Sequence, residues 1–143
     1  MDYISAKLKR VLVLRFNHKG DILKEFYKMA KKEKIKSGLL FLVGAIKDCK
    51  VVTGPKKPVI PPKPNWTSIV NAHEVIGVGT LFPEKGNPKL HLHLGLGRGK
   101  KTYVGCLRSE SDTYLVVEGV FIELSTGAVR EYDNKSKLAL LKL

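Results

Sequence analysis

Leu90-His91-Leu92-His93-Leu94-Gly95-Leu96 is the stretch that decides the fold. Leucine falls on every second position, which is the period of a half-buried β-strand and not of a helix. Residues two apart on a strand point to one side, so the four leucines form one face and His91, His93 and Gly95 the other. Gly97-Arg98-Gly99-Lys100 comes next and reads as a hairpin turn. With Arg98-Gly99 as a two-residue loop, Gly97 pairs with Lys100, Cys106 stands opposite His91, and Val104 stands opposite His93. Directly opposed Cβ atoms lie about 4.5–5.5 Å apart. Two imidazoles and a thiolate then converge, with Gly95 leaving space beside them. Three such ligands suit Zn²⁺ with an open fourth position. A three-residue loop would shift the register by one and turn Cys106 to the other face. The alternative reading of His91 and His93 is a pair of polar residues at an interface.

Working outward, Lys9 to Phe16 alternates and reads as a buried strand, and Asn17 to Gly20 as a turn. Asp21 can cap a helix starting at the next residue. From Ile22 the residues Leu23, Phe26, Tyr27, Ala30 and Ile35 recur at helical spacing, which predicts an amphipathic helix of about four turns. Ser37 to Ile46 is an apolar strand with a bend near Gly44, and Cys49 to Thr53 starts another. Gly54 to Pro64 holds five of the seven prolines and three lysines, so it reads as an extended basic surface loop. Further strands are expected at Thr67–Val70, His73–Leu81, Thr102–Arg108, Tyr114–Leu124 and Val129–Tyr132, with a weak edge strand in Leu138–Leu143. One helix followed by many strands with short links gives an α+β fold. The expectation is a single domain with a mainly antiparallel, curled sheet of about six to eight strands, a core over about residues 8–125 and a basic tail over 126–143. Glu118, in the middle of an apolar strand, has two readings. It is an outer partner accepting from a ligating imidazole, or a buried acid paired with a Lys or Arg.

Charge is the strongest compositional signal. The 143 residues carry 26 Lys plus Arg against 13 Asp plus Glu, a net charge of +13. The absence of glutamine and the wealth of lysine suggest a heat-loving source, but that adaptation raises acids and lysines together, and here the acids lag. An uncompensated basic surface attracts polyanions, nucleic acid above all. Only five of the cations are Arg, so contacts to DNA should be made to its phosphates and be weakly sequence-specific. The candidate contacts are Lys56, Lys57 and Lys63 in the loop, Arg98, Lys100 and Lys101 at the turn, and the helix lysines. Taken singly, each of them reads first as a solvated surface charge, and only their sum points to nucleic acid.

Other chemistry is not found. There is no phosphate-binding loop, and Gly95-Leu96-Gly97-Arg98-Gly99 lacks the strand-turn-helix setting of a dinucleotide site. Ser109 and Ser111 have no histidine at a recognisable triad position. No catalytic residue is identified, and a conventional enzyme is not expected. Two cysteines are too few for a disulfide framework. No apolar run reaches the roughly 20 residues of a membrane span, and Met1 to Ser5 lacks the apolar core of a signal peptide. A cytoplasmic protein without a membrane partner is expected.

His73-Glu74-Val75-Ile76-Gly77-Val78-Gly79-Thr80-Leu81, then Lys89 to Leu94, then Val104-Gly105-Cys106-Leu107, then Tyr114 to Leu124 occur in an order and spacing that resembles the plant- and prokaryote-conserved (PPC) domain. The resemblance covers roughly residues 8–125, including the strand-helix-strand from Arg10 to Asp48. It implies a compact α+β domain that forms homotrimers. Plant members carry AT-hooks in nuclear DNA-binding proteins, and prokaryotic members stand alone, often labelled DNA-binding, some of them similar to metal-containing proteins. His91, His93 and Cys106 fall where such members place three histidines, so the cysteine is a departure. No Arg-Gly-Arg-Pro hook core is present. Charge, pattern and resemblance together leave three functions, in order: a trimeric, low-specificity DNA-binding module; a trimeric protein-interaction module without DNA; and a zinc protein using His91, His93 and Cys106, as a metal-dependent enzyme on a small substrate would.

Overall fold

The structure, a computed structural model, describes all 143 residues. In chain order the elements are β1 (Lys7–Asn17), α1 (Ile22–Lys32), β2 (Gly38–Lys47), β3 (Cys49–Pro55), β4 (Pro64–Ile69), β5 (His73–Glu84), β6 (Asn87–Arg98), β7 (Lys101–Leu107), β8 (Asp112–Ser125), β9 (Val129–Asp133) and β10 (Leu138–Lys142). The ten strands form one sheet in the order β1-β8-β2-β5-β6-β7-β3-β4, with the β9–β10 hairpin joined to the end of β5. Every pairing is antiparallel except the bridge between Glu84 of β5 and Arg130 of β9. The fold is α+β, with more strands than the six to eight expected.

Alternation along the strands separates a core face from an outer face. Leu40, Leu42, Val75, Leu81, Leu92, Leu94, Leu96, Val117 and Phe121 are buried, and α1 covers them with Ile22, Phe26 and Ala30. Phe26 meets Phe121 edge-on, the ring centroids 5.4 Å apart. The Leu90 backbone N–H donates to the Tyr27 hydroxyl at 3.1 Å, tying the helix to the start of the histidine strand.

Both helix ends have local causes. Asp21 is the N-cap, its side chain accepting from the Lys24 N–H at 2.6 Å. The helix runs three turns where four were expected. It stops at Lys32 because Lys34 takes a left-handed φ of 55° and the Ile35 N–H donates to the Ala30 carbonyl at 2.9 Å. That is a Schellman motif, in which the apolar residue after the turn packs back on the last helical turn. Ile35 thus reaches the core from outside the helix. The bend expected near Gly44 is a register break between Gly44 and Ile46, with Gly44 at φ 139° and no room for a Cβ against the Val116 carbonyl.

Tight turns set the register around β6. Lys85 and Gly86, both at positive φ, connect β5 to β6, as a two-residue type I′ turn requires. Removing the Phe26 ring should empty the centre of the single core. Phe26→Ala is expected to cost about 3–5 kcal/mol, read as a lower urea midpoint at unchanged slope.

Candidate metal centre

The β6–β7 loop is two residues long, but those residues are Gly99 and Lys100, not Arg98 and Gly99. Arg98 pairs with Lys101, Gly95 with Val104, and His93 with Cys106. Gly99 supplies φ 58° at the first loop position, where a type II′ turn places glycine. The register therefore differs by two residues from the expected one. An even shift leaves each side chain on its own face, so Cys106 stays on the side of the imidazoles but faces His93 instead of His91.

The three groups converge. One ligand atom from each of His91, His93 and Cys106 lies within 4.8 Å of the others. The two Nε2 atoms are 3.0 Å apart and the rings are edge-on. A tetrahedral zinc holds its nitrogen donors about 3.3 Å apart and a nitrogen and a sulfur about 3.5 Å apart. The ring nitrogens lie close to the first spacing, and the Cys106 sulfur, within 4.8 Å of them, would have to approach to reach the second. Burial, then His93, Arg130 and Arg108, push the His91 imidazole down to about 4, so it is neutral and has a free lone pair at neutral pH. Burial raises the Cys106 thiol, against the pull of Arg108, the Leu92 backbone and Arg130. The donor set fits a zinc-like ion.

The surroundings differ from those expected. Glu118 lies on β8, paired with Arg15 and Val43, and two strands separate it from β6. At the usual spacing that is about 14 Å from the histidine strand. Within its own chain it cannot receive a hydrogen bond from a ligating imidazole. It is also exposed and in no ion pair. The buried, paired acid of β8 is Glu123, which accepts from Arg10 Nε at 2.6 Å and lies 3.5 Å from Lys9 Nζ. Two residues without a sequence assignment stand by the site instead. Arg108 lies two residues beyond Cys106, just past the end of β7. Arg130 reaches in from β9 to donate to Thr80, the β5 partner of His91, at 3.0 Å. Arg108 could be found from its spacing to Cys106. Arg130 could not, because its approach depends on how the terminal hairpin docks.

The outer face beside the histidines is apolar. A single cross-strand row runs Val13, Val120, Phe41, Val78, His93, Cys106, each residue the pairing partner of the next. A neighbouring row contains Val43, Ile76, Gly95 and Val104. The valines, Ile76 and Phe41 of these rows are 39% to 86% exposed. The six candidate DNA contacts fall in two separate groups. Lys56, Lys57 and Lys63 lie at the β3–β4 loop, and Arg98, Lys100 and Lys101 at the β6–β7 turn. All are exposed and none is in an ion pair. No helix is long and apolar enough to cross a membrane.

The sequence profile of the Plants and Prokaryotes Conserved (PCC) domain matches residues 3–125. No protein of curated function matches the sequence. Among solved structures, a metal-containing protein from Archaeoglobus fulgidus superposes with a TM-score of 0.87 at 17% identity, over 100% of both chains. A plant- and prokaryote-conserved protein from Pyrococcus horikoshii gives 0.85 at 22% identity, over 100% of this chain and 98% of that one. A candidate DNA-binding protein from Bacteroides thetaiotaomicron gives 0.81 at 20% identity, over 96% of both. At these identities the likeness establishes the fold.

Proposed function

Because the chain belongs to the Plants and Prokaryotes Conserved domain family, we propose that it works as a homotrimer with one zinc-like ion per subunit at His91, His93 and Cys106. The observation that carries this reading is the convergence of the three donors from adjacent strands. Charge puts DNA binding first on sequence grounds. Geometry shifts the weight to the metal, because the three donors meet at one point while the six basic residues are divided between two loops. A bound zinc ion would supply a Lewis-acidic position open to a fourth ligand. His91 and His93 would hold it as neutral imidazoles, and Cys106 as a thiolate. The description of the A. fulgidus relative as metal-containing supports the same reading.

The apolar outer face supports self-association. Its exposed valines, with Ile76 and Phe41, sit on neighbouring strands and make a patch that a lone soluble domain rarely leaves open. A trimer would cover it with heterologous contacts and would place the histidine site at the margin of a subunit interface. Free cysteines suit a reducing compartment such as the cytoplasm.

Low-specificity DNA binding is the second reading, favoured by the net charge of +13, the six unpaired loop cations and the description of the B. thetaiotaomicron relative. A trimer would multiply that charge on one particle, and backbone contacts would release counterions in proportion.

Elemental analysis of protein refolded with zinc should give one ion per chain. His93→Ala and Cys106→Ala should each weaken retention by more than the roughly 10- to 100-fold that loss of an outer hydrogen-bond partner costs. Wild-type retention in both variants would sink the site. Light scattering should report a trimer, and Val78→Asp should reduce it to monomers; an unchanged mass would place the interface elsewhere. Labelled duplex should bind at about 50 mM salt with an affinity that falls steeply as salt rises. No binding at that salt would remove the DNA reading and leave the metal reading standing.

A further inference from the structure

The terminal β9–β10 hairpin lies beyond the residues matched by the family profile, and it walls a cleft of about 510 Å³ that also has His91 in its lining. That volume is within the usual range for small-molecule sites, roughly 300–1,000 Å³. The geometry points to this cleft as a binding site for a small organic anion, a carboxylate or phosphate on an apolar body, held by Arg108 and Arg130.

Charge is the first argument. Four cations line the cleft, Lys89, Arg108, Arg130 and Lys137, against one acid, Glu84. Glu84 is engaged by Lys89 at 3.6 Å, and no carboxylate pairs with either arginine or with Lys137. Arg130 is held by Thr80 and by the Phe82 ring, over which its guanidinium lies 5.9 Å from the centroid. Its Nη2 donates to Thr80, while its Nε is buried without any partner. Two guanidinium groups offer the planar forks that carboxylates and phosphates accept.

Shape is the second argument. Half of the lining is apolar, from Leu90, Tyr132, Ala139 and the leucines of β10. A bare phosphate ion would leave that surface wet, whereas an organic anion would cover it. His91 joins the cleft to the metal centre, so the anion's oxygen could take the ion's open position. That last clause rests on the metal reading; the arginine contacts do not.

Calorimetry on the full chain, zinc-loaded and after chelation, tests the inference with phenyl phosphate, benzoate, inorganic phosphate and benzyl alcohol as probes. Phenyl phosphate or benzoate should bind once per chain, at least tenfold more tightly than inorganic phosphate, and benzyl alcohol should not bind. Arg108→Ala and Arg130→Ala should each weaken binding at least tenfold while zinc stoichiometry is kept. Arg130→Lys, which keeps the charge and protects the fold, should retain an intermediate affinity, and Lys7→Ala, at an exposed position on β1, should change nothing. Arginine-dependent binding by protein that never retains zinc would uphold the cleft and end the metal reading. The cleft is overturned if no probe binds in either state, or if the arginine variants bind like wild type. It is equally overturned if duplex DNA displaces phenyl phosphate from the cleft, since the arginines would then be DNA contacts.

Discussion

The register of β6 between β5 and β7 is the constraint on which the site depends. Two-residue turns at Lys85-Gly86 and Gly99-Lys100 leave no slack, so Asn87 to Gly97 each have one fixed partner on β5 and His93 to Arg98 one on β7. A strand's side chains alternate, and a slip of one would put the leucines in water and the imidazoles in the core. Burial of Leu90, Leu92, Leu94 and Leu96 therefore fixes the side on which His91 and His93 emerge. Cys106 is placed by the same ladder. Core packing, not any attraction among the three ligands, brings them together.

Local patterns are legible in the sequence, and this constraint explains why. Period-two alternation identifies most strands, and the apolar spacing of Ile22, Phe26 and Ala30 identifies the helix. The helix end is hidden because Ile35 continues the apolar pattern through a left-handed Lys34, a conformation that lysine does not advertise. The hairpin's length is readable and its position is not, since both Arg98-Gly99 and Gly99-Lys100 contain a glycine able to turn the chain. Glu118 shows where local pattern runs out. Its strand is evident, but its neighbours depend on the sheet order, in which β8 lies between β1 and β2. Arg130 is hidden for the same reason.

The row from Val13 to Cys106 joins two properties usually considered apart. Its apolar end needs cover, and its polar end holds the donors. Any partner that buries Phe41 and Val78 would also remove water from around His93, strengthening electrostatic interactions there. Subunit contact and ligand chemistry would then be coupled through one strand face.

On the proposed metal reading, a cysteine in place of a third histidine is intelligible in this setting. Three neutral imidazoles would leave a divalent ion with its whole charge beside Arg108 and Arg130, in a cleft that already has an excess of cations. A thiolate removes one unit of that charge at the metal itself. Burial raises the Cys106 thiol on balance, and both arginines offset part of that rise. On the proposed metal reading the arginines and the cysteine would act as a set: the arginines would offset part of the cost of the thiolate, and the thiolate would make a metal tolerable among them. A surplus of positive charge still remains at the cleft after that pairing, because the four cations face only Glu84. Were an ion bound with an open position, a charge of that kind beside it would favour a negatively charged fourth ligand over water.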